Sequence, residues 1–424
     1  MKKLLQTAGL LFFVGLFLAP TIANAQTSDK EKPFGITFSG YVKNDFFYDS
    51  RQTFDAREGH LLIGPKAPQL DSNGVDINDH ASFNFLAIQT RLTGKITGPD
   101  AFGATTSGMF EAEFFGHSDA DINGFRLRHA IIKLNWKKAE LLTGQFWHPL
   151  FVAECYPGTV SFNTGITFQP FSRNPQIKFS YKLGNIKLAV TAFGERDFST
   201  RNILGVASSS YIRNSGMPAV NINLNYGVVN KEQETAFNTG FGVNYKSIQP
   251  QLTTSLGYLT NQKVNSLAGI AYVNVKLKMI NVKFAGVYSE NGSDMFIPGG
   301  YAVLDTINPA TADVSYIPIR CATGWIDISS TGKVWQFGIF AGYNQNIGTA
   351  KDINGPFGGL STSAEHLYRV SPRINYFAGK IQVGAEVEYT VAAYGDGTYN
   401  LRALPLNAKE VANIRVLLGV YYHF

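Results

Sequence analysis

Beyond residue 25 the sequence contains no apolar run approaching the roughly 18–20 residues that a membrane-spanning helix needs, which excludes a helical membrane protein. Charge is sparse as well. Asp, Glu, Lys and Arg make up 16% of the 424 residues, well short of what keeps a chain solvated and disordered. The net charge is +6, but the basic residues are scattered singly. Without a basic run or a basic helix, a nucleic-acid partner is set aside. Cysteine is scarce. Cys155 and Cys321 are the only two, too few for a disulfide framework. Catalytic signatures are missing too: there is no G-x-S-x-G elbow and no H-E-x-x-H pair, and the seven histidines show no spacing that ties them to a nucleophile or a metal. No motif calls for a cofactor.

What is present begins with a positive start, Met1-Lys2-Lys3, a mostly apolar stretch from Leu4 to Leu18, and the small-x-small box Ala23-Asn24-Ala25. That order of parts reads as a secretory signal peptide over residues 1–25. Gln26, not a cysteine, follows, so no lipid anchor is expected there. Residues 26–35 then form a short periplasmic segment ahead of the main body, 36–424. In an exported chain the two cysteines meet an oxidising compartment, and a bridge between Cys155 and Cys321 is an open expectation.

The body is rich in glycine (42) and aromatics (13%), and its mean hydropathy is near neutral. A sheet with one face in lipid and the other in water averages to such a composition. Two-residue alternation runs to the last residue. Ala412, Ile414, Val416, Leu418, Val420, Tyr422 and Phe424 share one face; Asn413, Arg415, Gly419 and His423 share the other. Similar segments recur about sixteen times. Their connections alternate between tight turns such as Gly184-Asn185 and Gly379-Lys380 and long loops such as 149–176 and 291–320. The stretch 247–266 also alternates weakly, but parity assigns it to a loop. The fold class implied is all-β: a closed antiparallel transmembrane β-barrel of about 16 strands, with short periplasmic turns and long extracellular loops. Closure follows because hydrocarbon offers an open sheet edge no hydrogen-bond partner.

Strand phase sorts the charges by face. Arg91, Lys95, Lys178, Lys182, Arg369 and Arg373 fall on the lumen side, opposed by Glu111 and Glu113. Basic residues outnumber acidic ones there, which implies a lean toward small anionic solutes. One segment resists sorting. Arg126 and Arg128 share a face with Ala130, Ile132 and Leu134. The reading adopted puts both arginines inside and His129 and Lys133 outside, against a neighbouring subunit. Asp119, Asp121 and Asn123 match the first half of a calcium loop, but Ala130 stands where the bidentate Glu belongs.

Several segments resemble the DcaP-like porins, a group near the phosphate-selective and other sixteen-stranded porins. They are Thr90-Arg91-Leu92 with Thr97-Gly98-Pro99, Glu111-Ala112-Glu113-Phe114-Phe115-Gly116, Phe125-Arg126-Leu127-Arg128-His129-Ala130, Leu142-Thr143-Gly144-Gln145-Phe146-Trp147 and Arg173-Asn174-Pro175-Gln176-Ile177. Together they span roughly 85–180; beyond about residue 200 the likeness is architectural. The resemblance implies a bacterial outer-membrane porin, embedded in outer-membrane lipid and inserted by the barrel assembly machinery through the strand ending at Phe424. It further implies a homotrimer, an inward-folded third loop, and passage of small anions such as dicarboxylates. On this analogy Arg91, Arg126 and Arg128 line the pore with Glu111 and Glu113 facing them. The family's N-terminal coiled coil has no counterpart between Gln26 and Gly35, so trimerisation is expected through barrel packing. Two other readings stay open: a structural or adhesive barrel with an occluded lumen, and a barrel enzyme whose site is assembled across strands.

Overall fold

The computed structural model describes residues 34–424; the expected signal peptide and nearly all of the segment that follows it lie outside the described residues. The wall is one sheet closed on itself. Its strands are β1 (Gly35–Asp49), β2 (Ser82–Leu86 and Arg91–Thr97), β3 (Thr105–Glu113), β4 (Arg126–Asn135), β5 (Ala139–Trp147), β6 (Arg173–Leu183), β7 (Ile186–Phe193) and β8 (Ala219–Asn230). They continue as β9 (Thr235–Ile248), β10 (Val264–Lys276), β11 (Ile280–Glu290), β12 (Arg320–Ser330), β13 (Trp335–Gly348), β14 (Ala364–Ala378), β15 (Ile381–Tyr394) and β16 (Lys409–His423). The two segments of β2 count as one strand because they pair with successive stretches of the same β1. Between them Thr90 Oγ1 fills the broken ladder by accepting the Lys43 N–H at 3.2 Å. Each strand pairs antiparallel with the next, and β1 meets β16 from Tyr41↔His423 to Asp49↔Arg415. The closed antiparallel barrel of sixteen strands is therefore the observed fold.

Alternation sorts side chains as a wet-cored membrane barrel requires. Along β16, Ile414, Val416, Leu418 and Tyr422 are exposed on the outside, whereas Asn413, Arg415, Leu417 and Tyr421 are buried within. Short turns such as 136–138, 184–185 and 379–380 close one end, and the long connections lie at the other. Residues 249–263 are a loop, carrying only an isolated bridge between Thr253 and Leu259.

The ambiguous strand β4 is resolved by a bulge. Opposite β3, Glu111 pairs with His129 but Ala112 pairs with Leu127, leaving Arg128 as the extra residue. An inserted residue shifts the phase of everything beyond it. Arg126, Arg128, His129 and Ile131 are consequently all buried inside, while Leu127 and Ile132 are exposed outside. This corrects the expectation that His129 and Lys133 face a neighbour. The outer surface of β4 is apolar throughout, so it offers no polar face for a subunit interface to cover.

Candidate functional site

The lumen is shaped by the third long connection, 148–172. It carries Leu150, Phe151, Val152, Phe162, Ile166, Phe168 and Phe171, all buried, and so much apolar surface is favoured against the wall rather than in water. An irregular segment must also find partners for its backbone groups. Inward polar side chains supply them strand by strand. Asn223 of β8 donates to Pro149 O (3.0 Å), Asn274 of β10 to Glu154 O (2.7 Å), and Lys283 Nζ of β11 to Tyr156 O (2.9 Å). Glu386 Oε2 of β15 accepts the N–H groups of Val160 (2.6 Å) and Ser161 (2.8 Å). Val160 O in turn receives Lys43 Nζ of β1 (3.0 Å) and the Tyr421 hydroxyl of β16 (3.1 Å). On the return, Arg369 of β14 donates to Ile166 O (2.7 Å) and Trp325 of β12 to Gln169 Oε1 (2.7 Å). The loop thus follows the inner wall from β8 round to β1 and comes back.

A second inward element is the hairpin of Thr53–Ala56 with Leu61–Pro65 in the first long connection. Leu61, Leu62 and Ile63 are buried beneath it, Arg369 Nη2 donates to Leu62 O (3.0 Å), and Arg415 Nη1 to Gly59 O (2.6 Å). His60 Nε2 lies 3.1 Å from Asp45 Oδ2, among the rings of Phe47, Phe115 and Phe162. Burial in that cage depresses the His60 pKa, a push that Asp45 opposes without reversing it.

The expected charges sort into three environments. Arg91, Glu111, Glu113, Arg126 and Arg128 form one ion-pair cluster on β2, β3 and β4. Glu113 contacts Arg91 (2.9 Å), Arg126 (2.8 Å) and Arg128 (2.6 Å), and Glu111 contacts Arg128 (2.6 Å). Asp197, from the loop after β7, joins through Arg126 (3.0 Å) and Arg173 (2.8 Å). Burial raises the Asp197 pKa, but the guanidiniums of Arg126 and Arg173 bring it below the usual carboxylate value. Within this cluster Arg126 and Arg128 are fully buried, while Arg91, Glu111 and, less so, Asp197 keep some exposure. Lys95 and Lys182 are exposed on the inner face and Lys178 is half-buried.

Arg369 and Arg373 form the third set, and here the expectation of pore-lining residues is corrected. Both are buried, Arg369 clasping the two inward loops and Arg373 paired with Asp327 (2.7 Å). The loops cover the wall at their height. Strand phase reveals which face a side chain takes, not what covers that face.

The expected bridge is also absent. Cys155 and Cys321 are free thiols. Cys155 Sγ lies 3.7 Å from Phe284 O, and Phe284 pairs with Ile326 of β12. Cys321 stands five residues before Ile326 on that strand (326 − 321), about 17 Å along it at roughly 3.3–3.4 Å per residue. A bridge needs Cα atoms within about 7 Å. Cys321 instead accepts from Asn344 Nδ2 at 2.9 Å. The calcium candidate does not assemble either. Asp121 accepts the His117 N–H (3.1 Å) and Asp119 that of Glu58 (3.2 Å), and among the described residues no three His, Cys, Asp or Glu side chains converge as a metal site.

Residue patterns alone did not single out Arg173, Asp197 or His60 as site residues. Arg173 stands in a quoted motif, but Asp197 and His60 arrive from loops whose docking no periodicity reports.

No protein-family model matches the chain, and no curated protein matches it either. Solved structures do match. The outer membrane channel DcaP of Acinetobacter baumannii is 17% identical with a TM-score of 0.66, over 92% of this chain and 97% of that one. An anion-selective porin from Comamonas acidovorans is 9% identical with a TM-score of 0.53, over 92% and 100%. The trimer form of OmpT, an outer membrane protein of Vibrio cholerae, is 12% identical with a TM-score of 0.51, over 93% and 100%. At such identities the likeness is one of fold. The chain has the sixteen-stranded barrel fold of the DcaP-like and other porins.

Proposed function

We propose that the protein is an outer-membrane porin through which small hydrophilic solutes diffuse, with a lean toward anions. The observation that carries this reading is the combination of an apolar outer belt with a polar interior narrowed by loop 148–172, which is tied to the wall at Val160 and Ser161. Hydrocarbon can border such an exterior and water such an interior. The cations that keep exposed area, among them Arg91, Lys95, Lys133, Lys178 and Lys182, outnumber acids such as Glu111 and Glu140 on the same surface. That imbalance supports the anion lean, as does the likeness to an anion-selective porin.

A homotrimer belongs to the same proposal. One matching structure is a trimer form. The outer face of β3 and β4 includes the partly exposed small residues Gly108 and Ala130, which would let a second barrel approach closely. Insertion through the β16 strand, whose Phe424 exchanges backbone hydrogen bonds with Gly40 across the seam, is proposed on the same footing.

A second reading, a structural barrel with an occluded lumen, draws on one observation: Arg126, Arg128, Arg369 and Arg415 are fully buried beneath inward loops. Planar-bilayer recording separates the two. A porin yields stepwise ohmic conductance; folded protein that inserts without passing current supports occlusion.

A further inference from the structure

Five aromatic rings form one continuous series from the β5 wall onto loop 148–172. Phe146 lies 4.9 Å from His129, and His129 lies 5.2 Å from Trp147. Trp147 stacks on Phe151 at 3.9 Å with an interplanar angle of 14°, and Phe151 on Tyr156 at 5.5 Å. Cations flank both ends. The Nζ atoms of Lys133 and Lys178 stand 5.9 and 5.6 Å from the Phe146 centroid, and Lys283 Nζ stands 5.2 Å from that of Tyr156. Within the series His129 and Phe151 are buried and Trp147 is covered on one face by Phe151, whereas Phe146 is half-buried and Tyr156 is 39% exposed. The accessible ends are therefore two aromatic surfaces, each with an ammonium group at hand.

We infer that these ends bind aromatic carboxylates, so that the lumen recognises planar organic anions in preference to aliphatic ones of equal charge and size. This rests on the porin reading and names its solute class. The chemistry is specific. A carboxylate takes an ammonium as a charge-assisted partner, while its ring gains an offset-stacked or edge-to-face contact with Phe146 or Tyr156 that a saturated ring cannot make. Lys178 is well suited to the first role, since no carboxylate of the described residues lies within ion-pair distance of it, whereas Lys133 already faces Glu140 at 3.8 Å. Neither contact is enclosed on all sides, which leaves the solute free to depart, as conduction requires.

The test uses the full-length protein in a planar bilayer carrying chloride current, with benzoate, cyclohexanecarboxylate and acetate added in turn. Benzoate is expected to reduce the current at concentrations about five- to tenfold lower than cyclohexanecarboxylate, with acetate weakest. Phe146→Leu and Tyr156→Leu should each narrow that gap, and Lys178→Gln should weaken both ring acids together. Heat-modifiable gel migration shows whether each variant is folded. Equal block by benzoate and cyclohexanecarboxylate, or an unchanged gap in both folded aromatic variants, overturns the inference while leaving the channel intact. Absence of any chloride current overturns the porin reading instead.

Discussion

Glu386 holds Val160 by its backbone: one carboxylate oxygen, buried in the wall, accepts the Val160 N–H at 2.6 Å and the Ser161 N–H at 2.8 Å. The other oxygen accepts the Ser371 hydroxyl at 2.6 Å. Each such hydrogen bond contributes about 0.5–1.5 kcal/mol net, so this residue helps hold the loop tip to the wall, together with Lys43 and Tyr421 on Val160 O. Glu386→Ala is expected to loosen the loop tip, which Lys43 and Tyr421 still hold at Val160 O, without unfolding the barrel. Single-channel recordings should then show higher conductance and larger open-channel noise, and limited proteolysis should cleave near residues 158–163. Unchanged conductance in a folded variant would place the narrowing elsewhere.

The thiols give a chemical check on the path of the same loop. With Cys155 near β10 and β11 and Cys321 at the far end of β12, both should titrate as free thiols in protein denatured without reductant. Cys155→Ser and Cys321→Ser should each leave unreduced gel mobility unchanged. A mobility shift that appears only in the presence of both cysteines would contradict the docking described for Cys155.

Acid should loosen the first loop. Burial lowers the pKa of His60 in the folded state, so below its ordinary value of about 6.5 the undocked state binds a proton that the docked state refuses. Stability is then constant above about pH 6.5 and falls as pH drops below it, because the less folded state takes up more protons. Melting of the folded band, followed by heat-modifiable migration between pH 7.5 and 5, should show this decline. His60→Gln should lessen it, the remainder coming from groups such as His148, whose burial lowers its pKa to about 4. A variant with the parent's full acid dependence would clear His60 of the effect.

The barrel was legible because its signal is local: Ile414, Val416 and Leu418 alternate with Asn413, Arg415 and Leu417 over a handful of residues, and alternation needs no knowledge of the neighbouring strand. The bulge at Arg128 was not, because one inserted residue is visible only as a register shift against β3. Strand phase therefore led to the wrong face for His129 and Lys133. The burial of Arg369 and Arg373 was hidden for a related reason. Their inward direction follows from β14, but the cover comes from residues 53–65 and 148–172, more than 190 positions away in sequence (369 − 172 = 197). His60 and Asp197 were missed because both belong to irregular loops that dock by tertiary contact.

The ion-pair cluster sets the last prediction, which concerns selectivity. Three guanidiniums converge on Glu113, whose side chain is fully buried, while Arg91 retains 18% of its side-chain exposure and Glu111 retains 14%. The cluster therefore has a sealed part and an open edge, and these should respond differently. Glu113→Gln removes the shared counter-charge, but Arg126 keeps Asp197 and Arg128 keeps Glu111, so its cost should fall below the roughly 3–5 kcal/mol of a buried charge left wholly unpaired. Its chief effect should be a lower unfolding temperature. Arg91→Ala leaves Glu113 still held by two guanidiniums, so the barrel should remain nearly as stable. It removes a cation from the solvent-facing edge, however, and exposes more of the carboxylates to the lumen. Anion preference, read from the reversal potential in a salt gradient, should fall. Because exposed charges are screened beyond about 8 Å at physiological salt, the difference between Arg91→Ala and the parent should shrink as salt rises. A parent channel that prefers cations, or an Arg91→Ala variant with an unchanged reversal potential at low salt, would remove this edge from the selectivity mechanism.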